Sequence, residues 1–406
     1  MHIEIPKDWK WVKVGEYVIS VKGKKPKRVS ITKTKECSIP YVNIKAFEKN
    51  IIDEFTDGVG CALCDDGDFL MVWDGSRSGY VGKAIKGALG STLVKLNFPD
   101  MYNNYAYYFL QSKYLDINTR AKGVGIPHVD PNILWNYDLL IPPKPTQQAI
   151  VSKIEELFSE LDKGIENLRT AKQQLKTYRQ SVLKCAFEGK LTNENVKEGV
   201  LPKEWKDVVL GDVCRNVEYG SATKSKLEGK VPVLRMGNIQ NGRFDWNDLV
   251  YTSDDEEIRK YLLKKDDVLF NRTNSAEWVG KTAIYKGERP AIFAGYLIRI
   301  NRIENLLDAN FITYYLNSLE AKKYGNAVRS FGVNQSNING TKLKAYPLLL
   351  PPIKEQESIV QEIESRLSVA DKMEESINQS LQQAEALRQS ILKKAFEGRL
   401  IKTQTL

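Results

Sequence analysis

The chain carries a copy of part of itself at a fixed spacing, which constrains its fold more than any local preference. Leu139, Leu140, Ile141, Pro142 and Pro143 recur 209 residues later as Leu348, Leu349, Leu350, Pro351 and Pro352. At the same spacing, Arg179, Gln180, Ser181, Val182, Leu183 and Lys184 return as Arg388, Gln389, Ser390, Ile391, Leu392 and Lys393. Ala186, Phe187, Glu188, Gly189, Lys190 and Leu191 return as Ala395, Phe396, Glu397, Gly398, Arg399 and Leu400. The longer blocks before these segments repeat more loosely. Pro6, Lys7, Trp9 and Gly15 answer to Pro202, Lys203, Trp205 and Gly211 at a spacing of 196, and Val81, Gly82 and Lys83 answer to Val279, Gly280 and Lys281 at 198. The order is therefore A-B-A′-B′, with B segments that match without gaps and A blocks that diverge.

The B segments read as helices. Ile150 begins the first, and Ile154, Leu157, Leu161, Gly164, Leu168, Ala171, Leu175, Tyr178, Val182 and Cys185 follow in an alternating 4,3 spacing. This spacing predicts a coiled-coil seam. Ile359, Ile363, Ala370, Met373, Ile377, Ala384, Leu387 and Ile391 continue it in the second copy, which Arg366, Ser380 and Lys394 interrupt. The proline pairs mark the helix starts, and Gly189 and Gly398 suit the ends. A helix over 146–187 would be about 63 Å long. Such a stripe also serves in dimerisation helices, but pairing within one chain costs less association entropy. An antiparallel pair would place the two A blocks at opposite ends of a rod.

The A blocks mix short strand-like runs, such as 39–44, 231–236 and 267–270, with turns. Helices with aromatic faces are expected over 102–112 and 311–324. Each block then makes a domain of ordinary size, with mixed helix and strand content.

Composition limits the chemistry. With 42% hydrophobic and 27% charged residues the chain is of ordinary globular make-up, and it holds no apolar run long enough to span a bilayer. Residues 1–13 lack the apolar stretch of a signal peptide, and five scattered cysteines fit reduced thiols, so a cytoplasmic protein without a membrane partner is expected. Two histidines, His2 and His128, leave little for a zinc cage or a catalytic triad. Pro142 and Pro143 lack the polar and aromatic neighbours of an adenine methyltransferase loop. Gly280, Lys281 and Thr282 lack the upstream glycine of a phosphate loop, since Ser275 stands there. Pro99 and Asp100 have no following Asp/Glu-x-Lys, so no nuclease constellation is visible. Cys61 and Cys64 have the spacing of half a zinc ribbon without a second pair. No catalytic or metal-binding residues are assigned.

Binding remains. The net charge of +9 divides as +4 over 1–145, +2 over 146–197, +4 over 198–349 and −1 over 350–406, so the excess is concentrated in the A blocks. Lys22, Lys24, Lys25, Lys27 and Arg28 crowd one loop, as contact with phosphates would require, although a solvated loop has the same composition. In the second block Asn271, Arg272 and Asn274 follow a predicted strand. Arg329, Asn334, Gln335 and Asn337 lie before the second proline pair. Arg, Asn and Gln can address base edges in the major groove, while turn formation favours the same Asn- and Ser-rich segments. Arg77 and Arg235 complete the candidates, with Lys83 and Lys281. The first-block counterpart of the 329–337 stretch is 122–128, which differs sharply from it.

The order A-B-A′-B′, the proline pairs, the two long helices and the Ala-Phe-Glu-Gly-Lys/Arg-Leu endings resemble the specificity subunits of type I restriction-modification systems, over essentially the whole chain. The resemblance implies an α+β architecture with a pseudo-twofold internal repeat. Two α/β target-recognition domains, 1–145 and 198–350, would be joined by an antiparallel coiled coil of helices within 146–197 and 351–406. It implies no catalysis by this chain. Its partners would be double-stranded DNA, two modification subunits that use S-adenosylmethionine, and two restriction subunits that use ATP and Mg2+. Trp9, Gly15, Trp205, Gly211, Asp267, Val268, Leu269 and 278–281 match family landmarks and are expected to be mainly structural, with Lys83 and Lys281 the ones to reach phosphate. A coiled-coil scaffold with only non-specific DNA affinity is the rival reading.

Overall fold

The computed structural model describes residues 8–193, 196, 200, 202–332 and 335–401. The chain divides into two compact units, one of residues 1–168 with 379–406 and the other of 169–378. This division differs from a four-part order of domain, helix, domain, helix. Each unit takes in one domain and half of each long helix.

In the first unit a four-stranded antiparallel sheet runs in the order Ile19–Lys22, Leu93–Asn97, Phe69–Val72, Val81–Lys83. The second unit repeats it with Cys214–Tyr219, Leu297–Arg302, Val268–Asn271 and Thr282–Ile284. The third strand of each is buried on both faces, as its continuous apolar run implies. A second sheet in each domain includes a parallel pair, Ile39–Val42 with Gly87–Leu89 and Val231–Leu234 with Ile292–Phe293. Each domain closes where its first strand pairs with the strand before its long helix. These pairs are Lys10–Lys13 with Asp138–Ile141, and Lys206–Val209 with Pro347–Leu350.

The expected helix over 102–112 is present as Asn103–Ser112. Its counterpart over 311–324 is two helices, Ala309–Leu316 and Leu319–Val328. The break has a local cause: the Ser318 side chain accepts from the Ala321 N–H and caps a new helix, while Asn317 turns its amide to the Thr313 and Thr282 carbonyls.

The two long helices are Lys144–Phe187 and Ile353–Phe396, each of 44 residues. Within the second unit Lys172 donates to Asn378 and Arg179 to Asp371, so residue numbers rise along one helix as they fall along the other. The pairing is antiparallel. In the first unit the same sense holds, with Arg388 bonded to Asp162.

The helix ends lock into the domains. Phe187 packs edge-on to Phe311 and Tyr315, each with ring centroids 5.3 Å away. Phe396 does the same against Tyr105 at 5.1 Å and Phe109 at 5.3 Å. Each helix then ends at a glycine of positive φ, Gly189 at +74° and Gly398 at +70°, a conformation that favours glycine. A Cβ at these positions would stand 3.5 Å from the Trp205 ring and 3.4 Å from the Trp9 ring, which gives both tryptophans their structural use.

Most of the expected 4,3 series on the first helix is buried or half-buried, Ala171 and Cys185 included, and Gly164 and Tyr178 are the exceptions. Ile154, Leu161, Leu168, Leu175 and Val182 are covered, and Phe158, Ile165, Arg179 and Ala186 are covered beside them, while Gly164 and Tyr178 face solvent. Ile150 is buried and Leu157 half-buried. On the second helix Ile359, Ile363 and Ile391 are buried and Ile377 half-buried, whereas Met373 is 54% and Leu387 50% exposed. Met373 and Leu387 are therefore not seam residues. Glu374 and Arg388 take the adjacent covered positions, their long side chains lying along the partner helix with their charged ends in ion pairs.

Candidate nucleic-acid interface

In the first domain three segments converge at the end of the strand Ile19–Lys22. Lys22 forms an ion pair with Asp74 at 2.9 Å, and Asp74 bridges His128 of the 122–128 segment. That segment folds back on itself: the Lys122 N–H donates to the His128 carbonyl at 2.9 Å and the His128 N–H to the Lys122 carbonyl at 2.7 Å. Val124 and Ile126 stand exposed at its tip. Lys24, Lys25 and Lys27 are exposed on the adjoining loop, with no ion pair among the described residues, and Arg28 makes only a long contact with Glu36 at 3.9 Å. The surface is basic and carries an apolar tip.

The second domain builds the same place differently. A three-stranded sheet in the order Thr273–Asn274, Ser336–Asn337, Ser330–Phe331 joins the two candidate stretches. Asn337 Nδ2 donates to Thr273 Oγ1 at 2.8 Å, and Arg329 donates to the Ala276 carbonyl at 3.0 Å while its guanidinium lies 5.1 Å from the Phe331 ring. Arg272 lies 4.9 Å from the Tyr219 ring and donates through Nε to the Gly295 carbonyl at 3.1 Å. These contacts orient both guanidinium groups while leaving N–H donors for a ligand. Gln335 and Phe331 are exposed beside them, and Asn274 is half-buried, accepting from the Ser275 N–H. Asn334 lies outside the described residues.

Other candidates have structural duties. Asn271 is fully buried, donating to the Trp278 carbonyl at 3.2 Å and accepting from the Thr273 N–H at 3.3 Å. It shapes the loop, with its amide turned inward and away from the surface. Arg77 pairs with Glu48 at 3.0 Å and lies 3.9 Å from the Tyr80 ring. Arg235 holds Asp248 at 3.2 Å. Lys83 donates to Asn104 at 2.7 Å against the Tyr107 ring, and Lys281 sits 3.8 Å from the Trp278 ring. Burial lowers the pKa of both lysines. Cys64 turns its thiol to the Ile85 and Gly87 carbonyls, and burial pushes its pKa up to about 11, which disfavours a thiolate ligand. No cluster of metal-binding side chains occurs among the described residues, and no helix among them is long and apolar enough to cross a membrane.

The loop after Cys214–Tyr219, with exposed Lys224 and Lys226, corresponds to the basic loop after Ile19–Lys22. Sequence reading missed it, and missed the exposed rings of Tyr219 and Tyr296. Gly23 and Gly220 were the available signal. They are 197 residues apart, and a Cβ on either would run into backbone carbonyls of the second sheet, at 2.1 Å from Gly90 O and 2.2 Å from Phe293 O.

One domain plan is thus used twice, with different loops at equivalent positions. The family model for the type I restriction modification DNA specificity domain matches residues 6–170 and again 202–384. The chain belongs to this family, the specificity subunits of type I restriction enzymes, whose role is to give DNA sequence specificity. It is 31% identical to the StySPI specificity subunit of Salmonella potsdam, over 73% of this chain and 65% of that one. It is 28% identical to the MjaVIII specificity subunit of Methanocaldococcus jannaschii, over 98% and 95%. Among solved structures, a chain from a study of complex assembly and conformational transition of the type I R-M system matches with a TM-score of 0.75 at 20% identity, covering 98% of this chain and all of that one. The HsdS subunit from Thermoanaerobacter tengcongensis matches at 0.58 and 18% identity, covering 98% and 99%.

Proposed function

We propose that each domain reads one half of a bipartite, interrupted DNA target and that the paired helices set the spacer between the halves. The carrying observation is the duplicated fold with unlike loops at one place: lysines and an apolar tip in the first domain, arginines, amides and aromatic rings in the second. Phosphate contacts from the lysines supply affinity, and the Arg, Asn and Gln side chains supply discrimination. The chain performs no chemistry of its own. It works in the cytoplasm, where the two related helices dock two modification subunits that use S-adenosylmethionine. Two restriction subunits using ATP and Mg2+ complete the assembly. Two similar platforms suit two copies of one partner.

A map of adenine methylation in host DNA with and without the gene tests this reading. Loss of methylation at one interrupted, two-part motif supports it. Loss at an uninterrupted or palindromic motif counts against two separate readers.

A further inference from the structure

Gln147 and Gln356 lie in the first turn of the two long helices and are 1% and 0% exposed. Glutamine is seldom buried so completely, and here every contact is specific. Gln147 Nε2 donates to the Pro142 carbonyl and its Oε1 accepts from the Tyr102 N–H, both at 2.8 Å. Gln356 Nε2 donates to the Pro351 and Leu306 carbonyls, and its Oε1 accepts from the Asp308 N–H, all at 2.8 Å. Tyr102 and Asp308 are the N-cap residues of the helices Asn103–Ser112 and Ala309–Leu316. In each unit one amide therefore ties together the proline pair that leaves the domain, the start of the long helix, and a helix inside the domain.

The chemistry of this junction is demanding. An amide donates and accepts at once; a carboxylate cannot donate, a lysine cannot accept, and an aliphatic side chain does neither. Buried backbone groups left without partners are costly, so the junction resists tilting. Small tilts matter: a rotation of about 10° moves a contact about 20 Å away by about 3.5 Å, close to the 3.4 Å rise of one base pair.

We propose that Gln147 and Gln356 are positioning residues that set the angle at which each recognition domain leaves its helix, and thereby the spacer length the subunit accepts. This rests on the bipartite reading above. The test uses the full chain assembled with its methyltransferase subunits. Duplexes carry both half-sites with the native spacer, or with one base pair more or fewer, and methylation rates are compared for wild type, Gln147→Leu, Gln356→Leu, Gln147→Glu and Gln356→Glu. The Leu variants are expected to lose at least tenfold in discrimination between spacers while keeping both half-sites, and the Glu variants, whose carboxylate sets an oxygen against the carbonyls that the amide bonds, to lose at least as much. Folded Leu variants with the wild-type spacer profile, or with rates reduced equally on all spacers, overturn the proposal. Should the Leu variants fail to fold, the Glu variants decide by the same criterion, and failure of those to fold assigns the glutamines to stability alone and overturns it too. A wild-type complex that methylates no interrupted target sinks the bipartite reading instead, so the two failures are distinguishable.

Discussion

Arg179 donates to Asp371 across 2.5 Å in the second unit, and the same bond joins Arg388 to Asp162 in the first. Each residue of one pair lies 209 residues from its counterpart in the other. The duplication thus reaches single side-chain contacts. These carboxylates are largely exposed, so the pairs give register more than stability. Arg179→Ala and Arg388→Ala also lose the packing of a largely covered stem and should each cost about 1–2 kcal/mol. Ile154→Ala and Ile363→Ala, at fully buried sites, should each cost about 2–5 kcal/mol. Denaturant midpoints compare them, and an arginine variant as damaging as an isoleucine variant contradicts this ranking.

The aromatic locks predict local damage. Phe187→Ala and Phe396→Ala should each cost about 3–5 kcal/mol. Hydrogen exchange should quicken in 309–316 for the first variant and in 103–112 for the second. Equal quickening in both segments for either variant would show that the domains do not respond separately.

The long helices were legible because a 4,3 apolar spacing between proline and glycine is a strong signal. The charged members of the seam were not. Antiparallel packing covers Arg179, Glu374 and Arg388, whose charges read as surface, and leaves Met373 and Leu387 exposed. The burial of Gln147 and Gln356 is not legible in the sequence, because a helical glutamine is usually a solvent residue. Composition does not separate the two uses of Asn271, because loop asparagines shape turns and contact DNA with the same amide. The basic loop and the 329–337 stretch were visible as composition. Their convergence with the 74–78 and 272–275 segments needed the sheets.

Asn271 separates a loop-shaping role from recognition. Asn271→Ala leaves the Trp278 carbonyl and the Thr273 N–H without their partner, at about 1–3 kcal/mol. Calorimetry should show the loss with the methylated motif unaltered. A stable variant with a changed motif would return Asn271 to the reading surface.

The lysines of the first domain should act without regard to sequence. Replacing Lys24, Lys25 and Lys27 by Ala should weaken binding of the assembled complex to specific and non-specific duplexes alike, and reduce the slope of log affinity against log salt by about 2–3. Binding isotherms across a salt series measure this. An unchanged slope with a shifted half-site preference would make the loop a reader of bases.

The central claim is that two domains read two half-sites independently. The most direct measurement is a genomic adenine-methylation map from cells whose only copy of the gene carries Arg272→Ala, Arg329→Ala and Gln335→Ala. One half of the interrupted motif should relax or change, while the other half and the spacer stay as in wild type. Simultaneous change of both halves, or a new spacer with both halves kept, would contradict it.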